Sequence, residues 1–213
     1  MKRKIISFVS VLLVTVFLAF PSLADLRDNT KIHSFTKAKR ILLEQVYYDH
    51  HKTFYCDCDF SSDKTVSHDN GYEPKNTWKR AYRIEWEHIV PAYEFGHNFP
   101  EWKTGNPACV SSKGKPYKGR KCAQKVQLKF RYMQADMYNL VPAVGEINGL
   151  RSNYPYGIIP GEKREFGSFD MEIENRLAEP PPDKRRNIAR TYFYMEQAYP
   201  KYMKISEEQR GCS

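Results

Sequence analysis

The stretch Arg83-Ile84-Glu85-Trp86-Glu87-His88-Ile89-Val90-Pro91-Ala92 decides the fold around the most reactive side chains of this sequence. Apolar residues and His88 alternate with charged residues, which predicts a β-strand, and Pro91 ends it. Glu87 offers a metal ligand or an electrostatic partner beside an imidazole that can act as a general base. The alternative is a strand with His88 packed inside and Glu87 in solvent. Since neighbouring strand side chains point to opposite faces, the two residues can share one site only at a strand end or bend, and Pro91 supplies such an end.

A second informative stretch covers residues 136–153. Pro142 is suited to the first turn of a helix, which is expected to continue through Asn148. The neutral amide oxygen of Asn148 is a ligand that Mg²⁺ or Ca²⁺ accepts. Asn139 lies just before the expected helix start, where its side chain can tie loop backbone to the helix. The stretch therefore supplies one candidate metal ligand and one candidate supporting residue.

The remaining elements do not alternate regularly between strand and helix, which predicts one mixed α+β domain. Ser34 can cap a helix, residues 53–56 are expected to form a short strand, and residues 180–182 lead into a last helix. Residues 103–125 are rich in Lys, Gly and Ser, and they are expected to form a long basic loop. The expected buried residues of the last helix are Ile188, Tyr192, Met195 and Tyr199.

The N-terminus has the three-part plan of a secretory signal peptide: basic residues 2–4, an apolar run over residues 5–20, and a small-x-small site ending at Ala24. An uncleaved anchor helix is the alternative. Removing residues 1–24 takes away three basic residues and no acidic one, so the net charge falls from +9 to +6. A basic chain favours acidic partners. The 28% charged residues exclude a polytopic membrane protein, and 14% aromatic residues exclude a disordered chain.

The five cysteines are informative because export permits disulfides. Cys109 and Cys122 flank a polar loop and are the first candidates for a bridge. Five is an odd number, so at least one cysteine is expected to be unpaired or intermolecular. A bridge within the closely spaced second pair is not expected, because its ring would be strained. That pair could instead hold zinc. The residues of that alternative are Cys56, Cys58 and one of His50, His51 or His68.

Several blocks occur together and in a characteristic order. They are Glu85-Trp86-Glu87-His88-Ile89-Val90-Pro91-Ala92, Phe95-Gly96-His97, Gly119-Arg120-Lys121-Cys122, Asn139-Leu140-Val141-Pro142, Gly145-Glu146-Ile147-Asn148-Gly149, Arg151-Ser152-Asn153, Ala178-Glu179-Pro180-Pro181 and Ile188-Ala189-Arg190-Thr191-Tyr192-Phe193-Tyr194-Met195. With these blocks the chain resembles bacterial endonuclease I, the secreted or periplasmic nucleases of the ββα-metal (His-Me finger) superfamily. Three positions depart from the family pattern: Gln134 replaces the usual Glu, Tyr138 replaces a frequent His, and Asn70 replaces a cysteine.

The resemblance implies a role for each matching residue. It implies that His88 is the general base and that Arg120 is the cation that stabilises the phosphate. It also implies that Glu87 and Asn148 are the protein ligands of one divalent metal, with Mg²⁺ the first expectation and Ca²⁺ or Mn²⁺ as alternatives. The lysines near Arg120 are expected to bind nucleic acid. These are Lys113, Lys115, Lys118 and Lys121.

The resemblance also implies the function of the whole chain. Residues 25–213 are expected to form one α+β nuclease domain with a ββα-metal finger at its active site. The expected protein is a monomeric, sequence-nonspecific endonuclease of the periplasm or medium, without a membrane partner after signal cleavage. It is expected to cut DNA to 5′-phosphate products, with RNA as a further candidate substrate. Two alternatives stay open: a catalytically weakened nucleic-acid-binding relative, and a secreted zinc hydrolase.

Overall fold

The computed structural model describes residues 28–161 and 163–211, so the expected signal peptide (residues 1–24) and Cys212 lie outside the described residues. The helices are α1 (Phe35–Ile41), α2 (Ala92–Gly96), α3 (Pro100–Lys103), α4 (Arg120–Val126), α5 (Leu128–Gln134), α6 (Gly145–Arg151), α7 (Pro182–Ala198) and α8 (Glu207–Gly211). The strands are β1 (Ile84–His88), β2 (Leu140–Val144), β3 (Glu172–Glu174) and β4 (Leu177–Glu179). A π-helix (Leu42–Val46) and 3₁₀-helices (Lys79–Tyr82 and Met137–Asn139) complete the set. Helices mixed with small sheets confirm the α+β class.

Strands β1 and β2 form an antiparallel pair that places the start of α6 and the end of β1 at opposite ends of the ladder. The register runs from Ile84 opposite Val144 to His88 opposite Leu140. Helix α6 begins at the Ile84 end and runs back along both strands. Helix α6 therefore lies alongside β1, and its last residues are close to His88. The second sheet, β3 with β4, is also antiparallel and lies outside this unit.

Two clusters of buried apolar side chains hold this arrangement in place. One surrounds β1, β2 and α6 and includes Trp86 and Ile147. The other joins α2, α5 and α7 through Phe95, Phe130 and Met195. Burying one large apolar side chain contributes about 1.5–3 kcal/mol, so these clusters can fix the short strands that would be marginal alone. No helix in the described part of the chain has the length and apolar character needed to cross a membrane.

The first and last predicted helices are confirmed. The Oγ of Ser34 accepts a hydrogen bond from the Lys37 amide at 3.2 Å, so the serine caps α1. A capping serine typically contributes about 1 kcal/mol. Helix α7 starts at Pro182, the last of the three prolines, and it buries the predicted stripe against the second cluster. The stripe consists of Ile188, Tyr192 and Met195 in the helix and Tyr199 directly after it.

The prediction that Pro142 starts a helix is wrong. Pro142 lies inside β2 opposite Trp86, and the helix that carries Asn148 begins three residues later at Gly145. Apolar residues around the proline pair with β1, and this tertiary pairing outweighs the local preference of proline for a helix start. A two-stranded sheet has only edge strands, which tolerate a residue without an amide proton. The carbonyl of Pro142 accepts a hydrogen bond from the Phe54 amide at 2.7 Å.

Two expectations for residues 53–58 are also wrong. Residues 53–56 form a turn rather than a strand, and Cys56 is bonded to Cys58. Asp57 takes a φ of 49°, a left-handed conformation that aspartate tolerates better than most residues, and the two Cα atoms lie 5.1 Å apart. Because both thiols are used in the disulfide, the zinc alternative is overturned. The described residues also contain no group of three or more His, Cys, Asp or Glu suited to a metal.

The predicted bridge between Cys109 and Cys122 is confirmed, with a Cα–Cα distance of 5.5 Å. The basic loop ends earlier than expected, however, because α4 begins at Arg120. Cys122 is buried in the first turn of α4, and this burial favours the helix over further loop. Within the shortened loop, Val110 pairs with Pro116, so the intervening residues form a small hairpin.

Candidate active site

One cavity of ≈ 800 Å³ brings together the residues predicted to be catalytic or metal-binding. Glu87 and His88 enter it from the end of β1, Asn148 from α6 and Arg120 from the start of α4. The prediction that Glu87 and His88 can share one site at the end of β1 is confirmed, because both residues line the same cavity. The cavity also contains cationic side chains that sequence reasoning missed. They are Lys39, Lys64, Arg80 and Arg83.

His88 is held with one ring nitrogen protonated. Its Nε2 lies 2.9 Å from the carbonyl oxygen of Gln134. A carbonyl only accepts, so Nε2 donates its proton and Nδ1 keeps the lone pair. Burial, followed by the positive charge of Arg120, lowers the pKa of His88 to about 3. The imidazole is therefore neutral at pH 7 and can accept a proton. Its ring packs against Phe35 with the centroids 5.1 Å apart.

Glu87 is not the solvated residue of the alternative interpretation, because it is only 2% exposed. Its Oε1 accepts hydrogen bonds from the Tyr55 hydroxyl at 3.2 Å and from Nη1 of Arg151 at 2.9 Å. Burial raises the pKa of Glu87 to about 7, although the charge of Arg151 opposes the shift. Both hydrogen bonds use Oε1, so Oε2 is available to bind a cation in addition to Arg151. A buried carboxylate with a raised pKa gains strongly from such a partner.

Asn148 faces the cavity with a defined amide orientation. Its Nδ2 donates to Oε2 of Glu85 at 2.9 Å, which leaves Oδ1 for another partner. Glu85 is in turn held by Arg80, whose Nε and Nη2 lie 2.7 and 2.6 Å from its two oxygens. The site therefore contains a chain of contacts from a guanidinium through a carboxylate to the amide. Sequence reasoning assigned no role to Glu85 or Arg80.

Arg120 reaches the cavity from the first residue of α4. Gly119 before it takes a φ of 78°, which glycine adopts without strain, and its amide donates to the Trp102 carbonyl at 3.1 Å. Cys122 ties the same turn to Cys109. The guanidinium carbon lies 5.8 Å from the ring centroid of Phe35, the residue that also packs on His88. Arg120 is exposed, so its guanidinium can meet a substrate phosphate.

The four candidate nucleic-acid-binding lysines are exposed, and none of them lines this cavity. Lys113 and Lys115 lie in the small hairpin between Val110 and Pro116. Lys121 lines an adjoining cavity of ≈ 790 Å³, which shares Phe35 and Arg120 with the first. Lys118 lines a separate cavity of ≈ 490 Å³. The four lysines therefore lie outside the cavity that contains the candidate base.

Asn139 supports the site differently from the prediction. It lies just before β2, and its side chain holds the residues that follow β1 rather than a helix start. Its Oδ1 accepts from the Val90 amide at 2.7 Å, and its Nδ2 donates to the Val90 carbonyl at 3.0 Å. The Asn139 carbonyl also accepts from the Ile89 amide at 3.1 Å. These bonds continue the β1–β2 pairing past His88.

Comparison with known proteins identifies the family. The chain matches the endonuclease I family over residues 29–210. It is 40% identical over 176 residues to an extracellular deoxyribonuclease of Aeromonas hydrophila, covering 79% of this chain and 71% of the relative. It is 38% identical to a periplasmic deoxyribonuclease of the same organism, covering 79% and 67%. It is 36% identical to endonuclease-1 of Buchnera aphidicola (subsp. Acyrthosiphon pisum, strain APS), covering 84% and 67%.

This chain belongs to the endonuclease I family. Its departure at Gln134 does not remove the contact to His88, because that contact uses the backbone carbonyl. Its departure at Tyr138 lies at the surface, where the tyrosine is 77% exposed and its ring packs at a tilt against Tyr194. Both departures therefore leave the hydrogen bond of His88 in place.

Arg151 is the main residue of this endonuclease I chain that sequence reasoning missed. It is completely buried, and besides Glu87 it donates to the carbonyls of His88 and Ile89, each at 2.9 Å. Its guanidinium carbon lies 4.3 Å from the Tyr156 ring centroid. The sequence contains one indication of this role. Arg151 follows Asn148 by three residues, and side chains at that spacing lie on the same face of a helix.

The endonuclease I family suggests a divalent metal, and the donor set fits one. Oε2 of Glu87 and Oδ1 of Asn148 are hard oxygen donors on two elements that line the same cavity. Mg²⁺, Ca²⁺ and Mn²⁺ prefer carboxylate and amide oxygens and complete their coordination with water. The two residues fit as partial ligands of such a cation.

Proposed function

We propose that this chain is an exported, metal-dependent, sequence-nonspecific endonuclease that hydrolyses phosphodiester bonds of DNA. Family membership makes it an endonuclease, and the deoxyribonuclease relatives support DNA as the substrate. The observation that carries the proposal is one cavity lined by a neutral imidazole, a buried carboxylate, an amide and several cations. We further propose that residues 1–24 are an export signal, that residues 25–213 form the nuclease domain, and that RNA is a second candidate substrate.

The proposed site is a ββα-metal finger made of β1, β2 and α6. Strand β1 supplies the base and the acidic ligand, and α6 supplies the amide ligand. Glu87 and Asn148 would hold one divalent ion, Mg²⁺ in the first instance. When bound, that ion relieves negative charge on the phosphate and assists departure of the 3′ oxygen. Its single acidic ligand leaves much of the positive charge for the substrate.

The proton transfer follows from the tautomer of His88. Nδ1 accepts a proton from a water molecule whose oxygen forms a bond to phosphorus, and the bond from phosphorus to the 3′ oxygen breaks. The 3′ oxygen leaves as an alkoxide that takes a proton from a solvent water molecule, and the phosphate stays on the 5′ side. Arg120 donates hydrogen bonds to the phosphate oxygens as their charge increases, which stabilises the transition state more than the bound substrate. The cations of the cavity attract the backbone phosphates without reading sequence.

A plasmid-nicking assay tests the proposal. Purified residues 25–213 should nick supercoiled plasmid in Mg²⁺, stop in EDTA and resume when Mg²⁺ is restored in excess. End analysis of the products should find 5′-phosphates. Binding of plasmid without nicking in Mg²⁺, Mn²⁺ or Ca²⁺ would instead support the catalytically weakened relative.

A further inference from the structure

The amide of Asn148 has two different ends, and only one of them can bind a metal. Oδ1 has lone pairs for a cation, whereas the NH₂ group carries two protons and repels one. Rotation of the amide by about 180° exchanges the two ends, so a metal-binding asparagine needs a partner that selects one orientation. Such partners are common around metal ligands and typically change metal affinity about 10–100-fold when removed.

Glu85 makes that selection in this chain. Its Oε2 lies 2.9 Å from Nδ2 of Asn148. An ionised carboxylate has no proton to donate, so it can only face the NH₂ end of the amide. Reversal of the amide would bring two acceptor oxygens together. Oδ1 is therefore directed away from Glu85.

Arg80 holds Glu85 in position. The guanidinium uses Nε and Nη2 to contact both carboxylate oxygens, at 2.7 and 2.6 Å. This fork fixes the plane of the carboxylate as well as its position. Glu85 already has a hydrogen-bond donor at each oxygen, and this differs from Glu87, which keeps Oε2 available. The geometry therefore favours a positioning role for Glu85 over direct metal binding.

Two glycines of α6 make room for this arrangement. A Cβ atom at Gly149 would lie 2.3 Å from Nη1 of Arg80, and one at Gly145 would lie 3.0 Å from Cγ of Glu85. Arg80 and Glu85 thus pack directly on the backbone of the helix that carries Asn148. The close approach explains why a side chain of β1 can reach the amide at all.

We propose that Glu85, held by Arg80, is a positioning residue that orients Asn148 so that its Oδ1 faces the divalent metal. The inference rests on the proposed function, because it takes Asn148 to be a metal ligand. Glu85 acts only through Asn148. Its effect on metal affinity therefore requires that Asn148 be present.

A double-mutant cycle on metal affinity tests this requirement. The variants are Glu85→Gln, Asn148→Ala and their combination, with Glu174→Gln as a control that removes an exposed carboxylate elsewhere. Mn²⁺ and Mg²⁺ binding are measured by calorimetry without DNA. Glu85→Gln permits both amide orientations and should weaken metal binding about 10-fold. In the Asn148→Ala background the same substitution should have little further effect, and Glu174→Gln should bind like the parent.

Equal weakening by Glu85→Gln in both backgrounds would overturn the inference, because Glu85 would then act as a ligand or through its charge. Unchanged affinity in Glu85→Gln would overturn it as well. If Glu85→Gln does not fold, Glu85→Asp is used in the same cycle, since it keeps the charge and withdraws the acceptor by one methylene. Loss of affinity in Asn148→Ala but not in the Glu85 variants would refute this inference alone. Unchanged affinity in Asn148→Ala would refute the ligand assignment on which it rests.

Discussion

Replacing Arg151 with methionine tests the buried network behind the candidate base. The guanidinium and the Glu87 carboxylate are 0% and 3% exposed, and they lie 2.9 Å apart. Removing one partner of a buried ion pair typically costs about 3–5 kcal/mol, because the other charge stays buried. The carbonyls of His88 and Ile89 also lose a donor. For a domain of 150–250 residues, about 2–4 °C is lost per kcal/mol, so Arg151→Met should lower the melting temperature by about 6–20 °C.

The measurement is thermal unfolding in EDTA, followed by circular dichroism. Lys52→Met is the matched control, since it breaks an exposed pair with Asp59 and should leave the melting temperature almost unchanged. A second variant, Glu87→Met with Arg151→Met, removes both charges and should recover part of the loss. An Arg151→Met protein that melts with the parent would refute the assigned role of this network.

The stability of Arg151→Met should depend on pH in a defined direction. The pKa of Glu87 is raised to about 7 although Arg151 lowers it, so removing Arg151 should raise it further. An acid with a raised pKa in the folded state loses stability as pH rises from its unfolded to its folded pKa. Arg151→Met should therefore continue to lose stability above pH 7, where the parent levels off. The stability difference between the two proteins should be larger at pH 8 than at pH 6, and a smaller one would contradict the ion-pair argument.

Three further predictions concern the proposed chemistry. His88→Ala should lower kcat by at least about 10²-fold while DNA affinity and folding stay close to the parent, and cleavage within a few-fold of the parent would exclude it as the base. Glu87→Ala should weaken Mg²⁺-dependent cleavage more than Asn148→Ala, because Glu87 carries the only charge among the proposed ligands. Excess Mg²⁺ should partly rescue only Asn148→Ala, and unchanged metal affinity in both variants would contradict the assignment. Arg120→Ala should lower kcat at saturating DNA. Lys113→Ala should raise only KM and make KM less dependent on salt concentration. If the two variants behave identically, Arg120 is one of the general phosphate contacts.

The sequence predicts the strand that carries the base but not the partners of that strand. The alternation of apolar and charged residues before Pro91 is sufficient to predict β1, because this alternation and the proline that ends it are both local features of the sequence. The start of the Asn148 helix was misplaced because β2 depends on pairing with β1, a contact between residues distant in sequence. The disulfide of Cys56 was missed because it depends on the left-handed turn at Asp57.

Within the candidate site, the sequence predicts only the residues whose side-chain chemistry points to a function by itself. His88 and Asn148 were found through residue type and family resemblance, and the structure places them in one cavity. Glu85 and Arg151 were not, because a carboxylate or guanidinium has no function until its neighbours are known. Their roles arise from how α6 runs back along β1, which no local pattern of the sequence specifies.

The side chain of Asn139 has a consequence for how the protein opens. Strand ends normally fray, and their amide protons exchange with solvent through small local fluctuations. Here the amides after His88 are bonded to the backbone and the side chain of Asn139, while the carbonyls of His88 and Ile89 are bonded to Arg151. Releasing the amide protons of Ile89 and Val90 therefore requires the separation of two buried networks. Their deuterium exchange should follow global unfolding, so that the end of a two-stranded ladder is among the slowest-exchanging parts of the protein.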